Sequence, residues 1–233
     1  MTKAIILAGG LGTRLNSVLI NLPKPLAPIN GKPFLEYQMD FWIHQGIDHF
    51  VLSVGYLKEK IMDYFGDHYQ NIPINYAIED TPLDTGGGLL KALDFITSDE
   101  PILVLNGDTF FKVDLKALKN FHQNRASIWT FSLFRTSEVG RYMGIHIDPS
   151  GKVKFLDQQA KEKERLSNGG VYLIDPLVVK ALGFKSGEKI SLENGILKKL
   201  SSNFLDIYGM EFEGQFIDIG VPDDYKRAAS ILN

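Results

Sequence analysis

Residues 4–15 read AIILAGGLGTRL, and this stretch decides the expected fold. Residues 4–8 form an apolar run that ends in glycine, which is the pattern of a buried central strand in a parallel sheet. Gly9, Gly10 and Gly12 carry no side chains, so successive backbone N–H groups of the loop can turn towards an anion. Arg14 adds a planar fork of donors that suits phosphate oxygens. The stretch therefore predicts a strand that leads into a phosphate-binding loop.

Two better-known glycine loops do not match this stretch. A dinucleotide-binding loop needs a third glycine where this chain has Leu15, and the Walker pattern of glycine, lysine and a hydroxyl residue is absent from the sequence. A plain strand-to-helix turn would explain the glycines alone. Residues 23–25, Pro-Lys-Pro, argue against it, because two fixed φ angles hold Lys24 where it can serve as a second phosphate ligand.

The composition is that of one α/β domain. The chain has 233 residues, of which 44% are hydrophobic and 23% charged, enough for a single core spanning 1–233. A net charge of −3 with scattered basic residues predicts neither a nucleic-acid partner nor a membrane partner. The chain has no cysteine, which excludes disulfides and thiolate zinc sites. It enters a strand at once and has no apolar run of about 18 residues, so we expect a cytoplasmic protein.

Short apolar strands alternate with helices along the sequence. The predicted strands are 4–8, 49–54, 72–78, 101–105, 127–134, 145–147, 153–156, 171–174 and 215–220. The predicted helices are 33–46, 57–65, 89–96, 114–124 and 176–182, with two more that open near Ser191 and Val221. Asp114, Ser191 and Thr85 are the expected N-caps of the helices that follow them. This alternation favours a multiply wound α/β fold.

Asp108 is expected to bind a metal ion. It lies in Asn106-Gly107-Asp108, just after the strand at 101–105, and open α/β sheets bind ligands beyond the carboxyl ends of their strands. Magnesium is bound through one or two carboxylates together with the phosphates of the substrate. A simple turn is the alternative for Gly-Asp alone. The position and the chemistry suit Mg2+, and from the residues alone both readings, metal ligand and turn, stay open.

The sequence GGLGTRL at 9–15, followed by PKPLAPINGKPFLEY at 23–37, resembles the signature of the sugar-1-phosphate nucleotidyltransferases. The similarity runs from Lys3 to about Ala229. It implies a three-layer α/β/α, Rossmann-like fold with a mixed, mostly parallel sheet, in which about 1–112 binds nucleotide and about 113–233 binds sugar. Within the family the resemblance is closest to enzymes that join GTP to D-glycero-α-D-manno-heptose 1-phosphate for bacterial lipopolysaccharide or capsule. The motifs are specific for the family and less so for the sugar.

The resemblance also implies roles for individual residues. Arg14 and Lys24 would be catalytic, and Asp108 with Asp218 would hold Mg2+. The residues expected to bind nucleotide are Leu7, Ala8, Gly9, Gly10, Gly12, Thr13, Glu79, Thr85, Gly86 and Gly87, with Glu79 placed to read the edge of guanine because a carboxylate suits paired N–H donors. The residues expected to bind sugar are Asn106, Gly144, Asp157, Asn168, Gly169 and Glu193. No histidine is assigned a catalytic role, because a sugar phosphate is already ionised near neutral pH.

One segment departs from the family pattern. Many relatives carry Phe-x-Glu-Lys, whose lysine binds the sugar phosphate, where this chain has Phe155-Leu156-Asp157-Gln158. Lys161 or Lys163 could replace that lysine, although a charged run such as 161–165 is more often a solvated surface. The lysine that binds the sugar phosphate is therefore left open.

Several functional alternatives also stay open. The partners expected are a nucleoside triphosphate and a sugar 1-phosphate, but the loop motifs also allow mannose 1-phosphate with GTP, or an N-acetylated aminosugar with UTP. A non-catalytic relative that senses nucleotide-sugar is a second alternative, and the presence of Arg14, Lys24, Asp108 and Asp218 together argues against it. An oxidoreductase is disfavoured by Leu15. The oligomeric state is open, with a homodimer among the possibilities.

Overall fold

The computed structural model describes residues 2–12, 15, 19, 21–138, 141–157, 164–202 and 206–232. Its strands are β1 (Thr2–Leu7), β2 (Pro28–Ile29), β3 (Lys32–Pro33), β4 (Ile47–Val54), β5 (His68–Tyr69), β6 (Ile72–Ile78), β7 (Ile102–Asn106), β8 (Thr109–Phe111), β9 (Trp129–Thr136), β10 (Gly144–Ile147), β11 (Val153–Asp157), β12 (Arg165–Ile174), β13 (Ile207–Glu211) and β14 (Phe216–Asp218). Its α-helices are α1 (Phe34–His44), α2 (Lys58–Phe65), α3 (Asp84–Leu93), α4 (Leu115–Asn124), α5 (Pro176–Lys180), α6 (Lys198–Ser202) and α7 (Pro222–Ile231). A 3-10 turn covers Lys24–Leu26 and a π-helical turn covers Leu192–Leu197.

A mixed sheet forms the centre of the molecule. Its strand order is β11-β10-β12-β7-β1-β4-β6-β5, and β9 pairs with β12 and with β13. The neighbours β7, β1, β4 and β6 run parallel, and β12 runs antiparallel to β7. The first strand of the sequence therefore lies in the middle of the parallel part, as its apolar run predicts.

Helices cover both faces of the sheet. On one face Leu35 of α1, Ile61 of α2 and Leu118 of α4 pack into a buried cluster with strand residues such as Ile6. On the other face α3, α5, α6 and the turn at Leu192–Leu197 pack around Ile5. Ile5 and Ile6 of β1 are thus covered on opposite faces of the sheet, which gives the three-layer α/β/α class that the family resemblance implies. No helix in the described part of the chain is both long enough and apolar enough to cross a bilayer.

The helix caps agree with the sequence at two of three positions. The Asp114 side chain accepts a hydrogen bond from the N–H of Ala117, and the Ser191 hydroxyl accepts one from Asn194. The prediction for Thr85 is wrong: α3 already begins at Asp84, its N-cap is Leu83, and no side chain caps it. Thr85 therefore lies inside the first turn. Gly86 and Gly87, which follow it in the helix, pack closely against the backbone of residues 188–191.

Strand β12 is longer than predicted, because an irregularity in its middle separates the part that was predicted from the part that was not. Its pairing with β9 shifts register between Asn168 and Tyr172, opposite Leu133 and Phe131, so two extra residues lie in β12. Gly170 has a φ of +72° there, a conformation that favours glycine. The bulge separates the predicted strand at 171–174 from the half of β12 that precedes it.

Candidate active site

A two-stranded ribbon brings the two expected metal ligands together. Strand β8 begins at Thr109, directly after Asp108, and pairs antiparallel with β14 so that Asp218 lies opposite Thr109. The N–H of Ile219 also donates to the carbonyl oxygen of Asp108 at 2.9 Å. Asp108 and Asp218 are therefore neighbours across the ribbon, although they are far apart in the sequence.

Lys24 completes this group. Its Nζ donates to Asp108 Oδ2 at 2.9 Å, and the lysine side chain is only 13% exposed. A Cβ added at Gly220 would lie 2.7 Å from Asp218 Oδ1, 3.3 Å from Lys24 Nζ and 3.5 Å from Asp108 Oδ2. Three charged groups therefore converge on one point, and a residue without a side chain leaves room for them.

The two carboxylates suit a divalent cation. The N–H of Gly220 donates to Asp218 Oδ1 at 2.6 Å. Burial, and then the negative charge of Asp108, raise the pKa of the Asp218 carboxyl above its ordinary value. A bound cation would offset that repulsion, and oxygen ligands are those that Mg2+ takes. The described residues contain no cluster of three or more His, Cys, Asp or Glu side chains suited to a metal, but two carboxylates are enough where substrate phosphates supply further oxygens. The residues thus fit Mg2+.

A cavity of about 590 Å³ opens beside this group. Many of the residues predicted to bind substrates line it, from both halves of the chain, namely Leu7, Ala8, Gly9, Gly10, Gly12, Lys24, Glu79, Thr85, Asn106, Asp108 and Glu193. Asp218 lies next to the cavity, beside Asp108, and its side chain is 13% exposed. The fold therefore collects the glycine loop, the lysine and the carboxylates around one space.

Glu79 is held beneath the glycine loop. Its Oε1 accepts a hydrogen bond from the Ser53 hydroxyl at 2.9 Å, and its Oε2 accepts one from the N–H of Leu83 at 3.1 Å. A Cβ at Gly9 would overlap this carboxylate, and one at Gly88 would lie 2.8 Å from its Oε1. Gly9 and Gly88 are thus glycines because the Glu79 carboxylate fills the space between them.

Gly86 and Gly87 face the protein itself. The N–H of Gly87 donates to the carbonyl oxygen of Ile190 at 3.0 Å, and a Cβ at Gly86 would lie 2.7 Å from that same oxygen. These two glycines let the segment that leads to Ser191 pack closely against α3, and they are not among the described residues that line the cavity. Gly88 lines it instead.

On the sugar side, only part of the expected set reaches the cavity. Asn106 lines it, and its Oδ1 is buried without a hydrogen-bond partner, which suits a ligand donor. Glu193 also lines it and accepts a hydrogen bond from Ser191 at 3.2 Å. The described residues that line the cavity do not include Gly144, Asn168 or Gly169, and the side chain of Asp157 lies outside the described part of the chain.

Those four residues lie in and around the bulged strand. Asn168 donates to the Tyr172 hydroxyl at 2.8 Å and accepts from the N–H of Gly170 at 3.0 Å, so its side chain holds the bulge. Gly169 packs against the ring of Phe111. Gly144 and Asp157 pair with each other across β10 and β11.

Several cavity residues were not singled out from the sequence. Ser53 lines the cavity without having been predicted as a site residue, and Pro82 and Asp84 line it next to the predicted residue Thr85. Gly88 had a signal, as the third glycine of the run 86–88. Thr13, Arg14, Lys161 and Lys163 lie outside the described residues, so the roles considered for them stay predictions. Gln158 also lies outside the described residues.

A comparison with known protein families identifies the chain. The model of the family described as "Nucleotidyl transferase" matches residues 3–233. The chain belongs to the nucleotidyl transferase family. This confirms the resemblance that the glycine loop and the Pro-Lys-Pro motif suggested.

Named relatives of this nucleotidyl transferase are similar over nearly their whole length. It is 42% identical to D-glycero-alpha-D-manno-heptose 1-phosphate guanylyltransferase of Aneurinibacillus thermoaerophilus, covering 99% of this chain and 98% of the relative. The enzyme of the same name from Campylobacter jejuni is 40% identical, with 96% of each chain covered. The crystal structure of HddC from Yersinia pseudotuberculosis matches with a TM-score of 0.85 and 31% identity over all of both chains, and HddC has also been solved with GMP-PN.

Proposed function

We propose that this nucleotidyl transferase transfers a guanylyl group from GTP to D-glycero-α-D-manno-heptose 1-phosphate, giving GDP-heptose and pyrophosphate. The observation that carries the proposal is the convergence of Lys24, Asp108 and Asp218 beside a cavity lined by the glycine loop. The choice of GTP and of the heptose is supported by the two guanylyltransferases that are 42% and 40% identical to the chain. The protein would act in the cytoplasm, and its product GDP-heptose would be used for the synthesis of bacterial surface polysaccharide.

The reaction requires little covalent chemistry from the protein itself. An oxygen of the sugar phosphate attacks the α-phosphorus of GTP, the bond from that phosphorus to the bridging oxygen of the β-phosphate breaks, and pyrophosphate leaves. The attacking group is already ionised, so no side chain has to accept a proton. Catalysis of this kind comes mainly from positioning and from stabilising charge on the phosphoryl oxygens.

Each part of the site has a role in that scheme. The backbone N–H groups of the glycine loop, with Arg14, would bind the β- and γ-phosphates, and Lys24 would lie against the α-phosphate. Asp108 and Asp218 would hold Mg2+, which when bound neutralises charge on the phosphates. Glu79 and Thr85 would lie near the nucleoside, whereas Asn106 and Glu193 would face the sugar.

Pyrophosphate release tests the proposal. The purified protein is incubated with Mg2+ and each of GTP, UTP, CTP, ATP and dTTP, paired in turn with the 1-phosphates of heptose, mannose, glucose and an N-acetylated aminosugar. We expect release that is strongest for GTP with the heptose 1-phosphate. Preference for another pair would replace the substrate and keep the reaction. Nucleotide binding without release from any pair would reject the proposal in favour of a sensing role.

A further inference from the structure

Arg141 contacts three carboxylates at the edge of the candidate site. Its Nη2 lies 3.5 Å from Asp218 Oδ2 and also donates to Asp224 Oδ2, and its Nη1 donates to Glu138 Oε2 at 2.9 Å. The guanidinium carbon lies 4.8 Å from the centre of the Tyr142 ring. Arg141 therefore links the segment before β10 to α7 and, through Asp218, to the candidate metal ligands.

Asp224 anchors the guanidinium in this place. The Asp224 side chain is only 5% exposed, lies in the first turn of α7, and has a second cation, Arg227, at 3.3 Å. A buried carboxylate is costly unless it is paired. The pairing with Asp224 therefore keeps Arg141 beside Asp218, whatever occupies the cavity.

The Asp218 carboxylate needs such a neighbour to have one orientation. The outer torsion of an aspartate is broad, so a single hydrogen bond does not fix the plane of the carboxylate. In this structure Oδ1 accepts from the N–H of Gly220, and Oδ2 faces Arg141. With one donor group on each oxygen, the carboxylate is held in the plane that puts Oδ1, like Asp108 Oδ2, within 3.5 Å of one point, the Cβ position of Gly220.

We propose that Arg141 is a positioning residue of the transfer reaction, which orients the Asp218 carboxylate so that it shares a divalent cation with Asp108. This inference rests on the proposed function. Arg141 is not among the described residues that line the cavity, so it acts through Asp218 and not on the substrates. A residue that only fastened its own segment to α7 would support the fold and leave cation binding unchanged.

Arg141→Met tests the inference, because methionine fills space beside Tyr142 and removes every donor. Mn2+ binding to the full chain is measured by electron paramagnetic resonance with GTP present and sugar phosphate omitted. The half-saturating Mg2+ concentration and the KM for GTP are then taken from pyrophosphate release. We expect Mn2+ binding to weaken by about tenfold or more, as when a partner of a metal ligand is removed. The half-saturating Mg2+ concentration should rise in parallel, and the KM for GTP should change less.

Arg135→Met is the matched control. Arg135 donates to both carboxylate oxygens of Glu211, at 2.9 Å and 2.8 Å, and its side chain is 53% exposed. This substitution also breaks an arginine–glutamate pair, but neither member of that pair is a partner of Asp218 in the described part of the chain. We expect its Mn2+ binding to equal that of the wild type.

Four outcomes decide the inference. Wild-type Mn2+ binding by folded Arg141→Met would overturn it. The inference would also be overturned if adding Arg141→Met to Asp218→Asn weakened Mn2+ binding further, since the effect of Arg141 must pass through Asp218. If Arg141→Met does not fold, Arg141→Gln replaces it: the glutamine side chain is shorter and uncharged, so its amide cannot reach both Asp224 and Asp218, and wild-type binding by this variant also overturns the inference. If Asp108→Asn leaves Mn2+ binding intact, the metal site of the proposed function fails, and the inference with it.

Discussion

Lys24 and Asp108 are 84 residues apart in the sequence, and their charged atoms are 2.9 Å apart in the fold. Each was assigned separately, the lysine from the prolines around it and the aspartate from the strand before it. Their contact could not be read from the sequence, because it depends on how a 3-10 turn packs against the end of β7. The point where both meet Asp218 is marked by Gly220, which carried no signal of its own.

Removing either member of this pair should slow the reaction. Lys24→Ala and Asp108→Ala should each lower turnover by about two to four orders of magnitude, because each removes one preorganised electrostatic group. Steady-state pyrophosphate release measures the loss, and circular dichroism checks the fold. Lys58→Ala is the control, since Lys58 forms an ion pair at 3.2 Å with the exposed Asp80. Near-normal turnover in either site variant would contradict the assignment.

At the scale of elements, the sequence predicts most of the individual strands and helices, but it misses strands whose formation depends on pairing with a distant segment. The alternation of strands and helices is local, and most of these elements appear close to the predicted bounds. Strand β8 has three residues, too few for a periodic signal, and β13 was missed because a glycine interrupts it and its partner β9 is distant in the sequence. The ribbon of β8 and β14 is the element that places Asp218, so the most important contact of the site depends on a strand that sequence patterns do not reveal.

The glycine loop after β1 offers a matched pair of substitutions. Gly9→Ala should destabilise the fold by about 1–3 kcal/mol, because its Cβ would overlap a Glu79 carboxylate that Ser53 and Leu83 hold in place. Gly10→Ala should change stability by less than about 0.5 kcal/mol, because no described residue other than its chain neighbours has an atom within 4 Å of the added Cβ. Urea unfolding of the two variants provides the comparison. Equal midpoints would show that Glu79 can move aside.

At the scale of the whole molecule, one buried histidine makes stability depend on pH. His122 of α4 is 3% exposed, and its Nδ1 lies 2.8 Å from Thr130 Oγ1. Burial lowers the pKa of His122 to about 4, although the charge of Asp175 acts in the opposite direction. In the unfolded chain the pKa of a histidine is about 6.5. Below that pH only the unfolded state takes up the proton, so stability is lost as the pH falls from about 6.5 to about 4.

His122→Gln should remove that part of the pH dependence. Between pH 6.5 and 4 the wild type should lose up to about 3 kcal/mol more stability than the variant, from the difference in proton uptake. Urea unfolding at several pH values measures both slopes. His68→Gln is the control, because the His68 side chain is 58% exposed. Parallel slopes for wild type and His122→Gln would mean that the folded state does bind the proton on His122.

The fate of labelled GTP tests guanylyl transfer most directly. The purified protein is given Mg2+, D-glycero-α-D-manno-heptose 1-phosphate and GTP that carries 32P at either the α- or the γ-position, and the products are separated. We predict that the α-label appears in GDP-heptose and the γ-label in pyrophosphate, because the sugar phosphate attacks the α-phosphorus. The proposed reaction would be contradicted if the γ-label appeared in the sugar product. It would also be contradicted if folded protein gave no sugar product that carries the α-label.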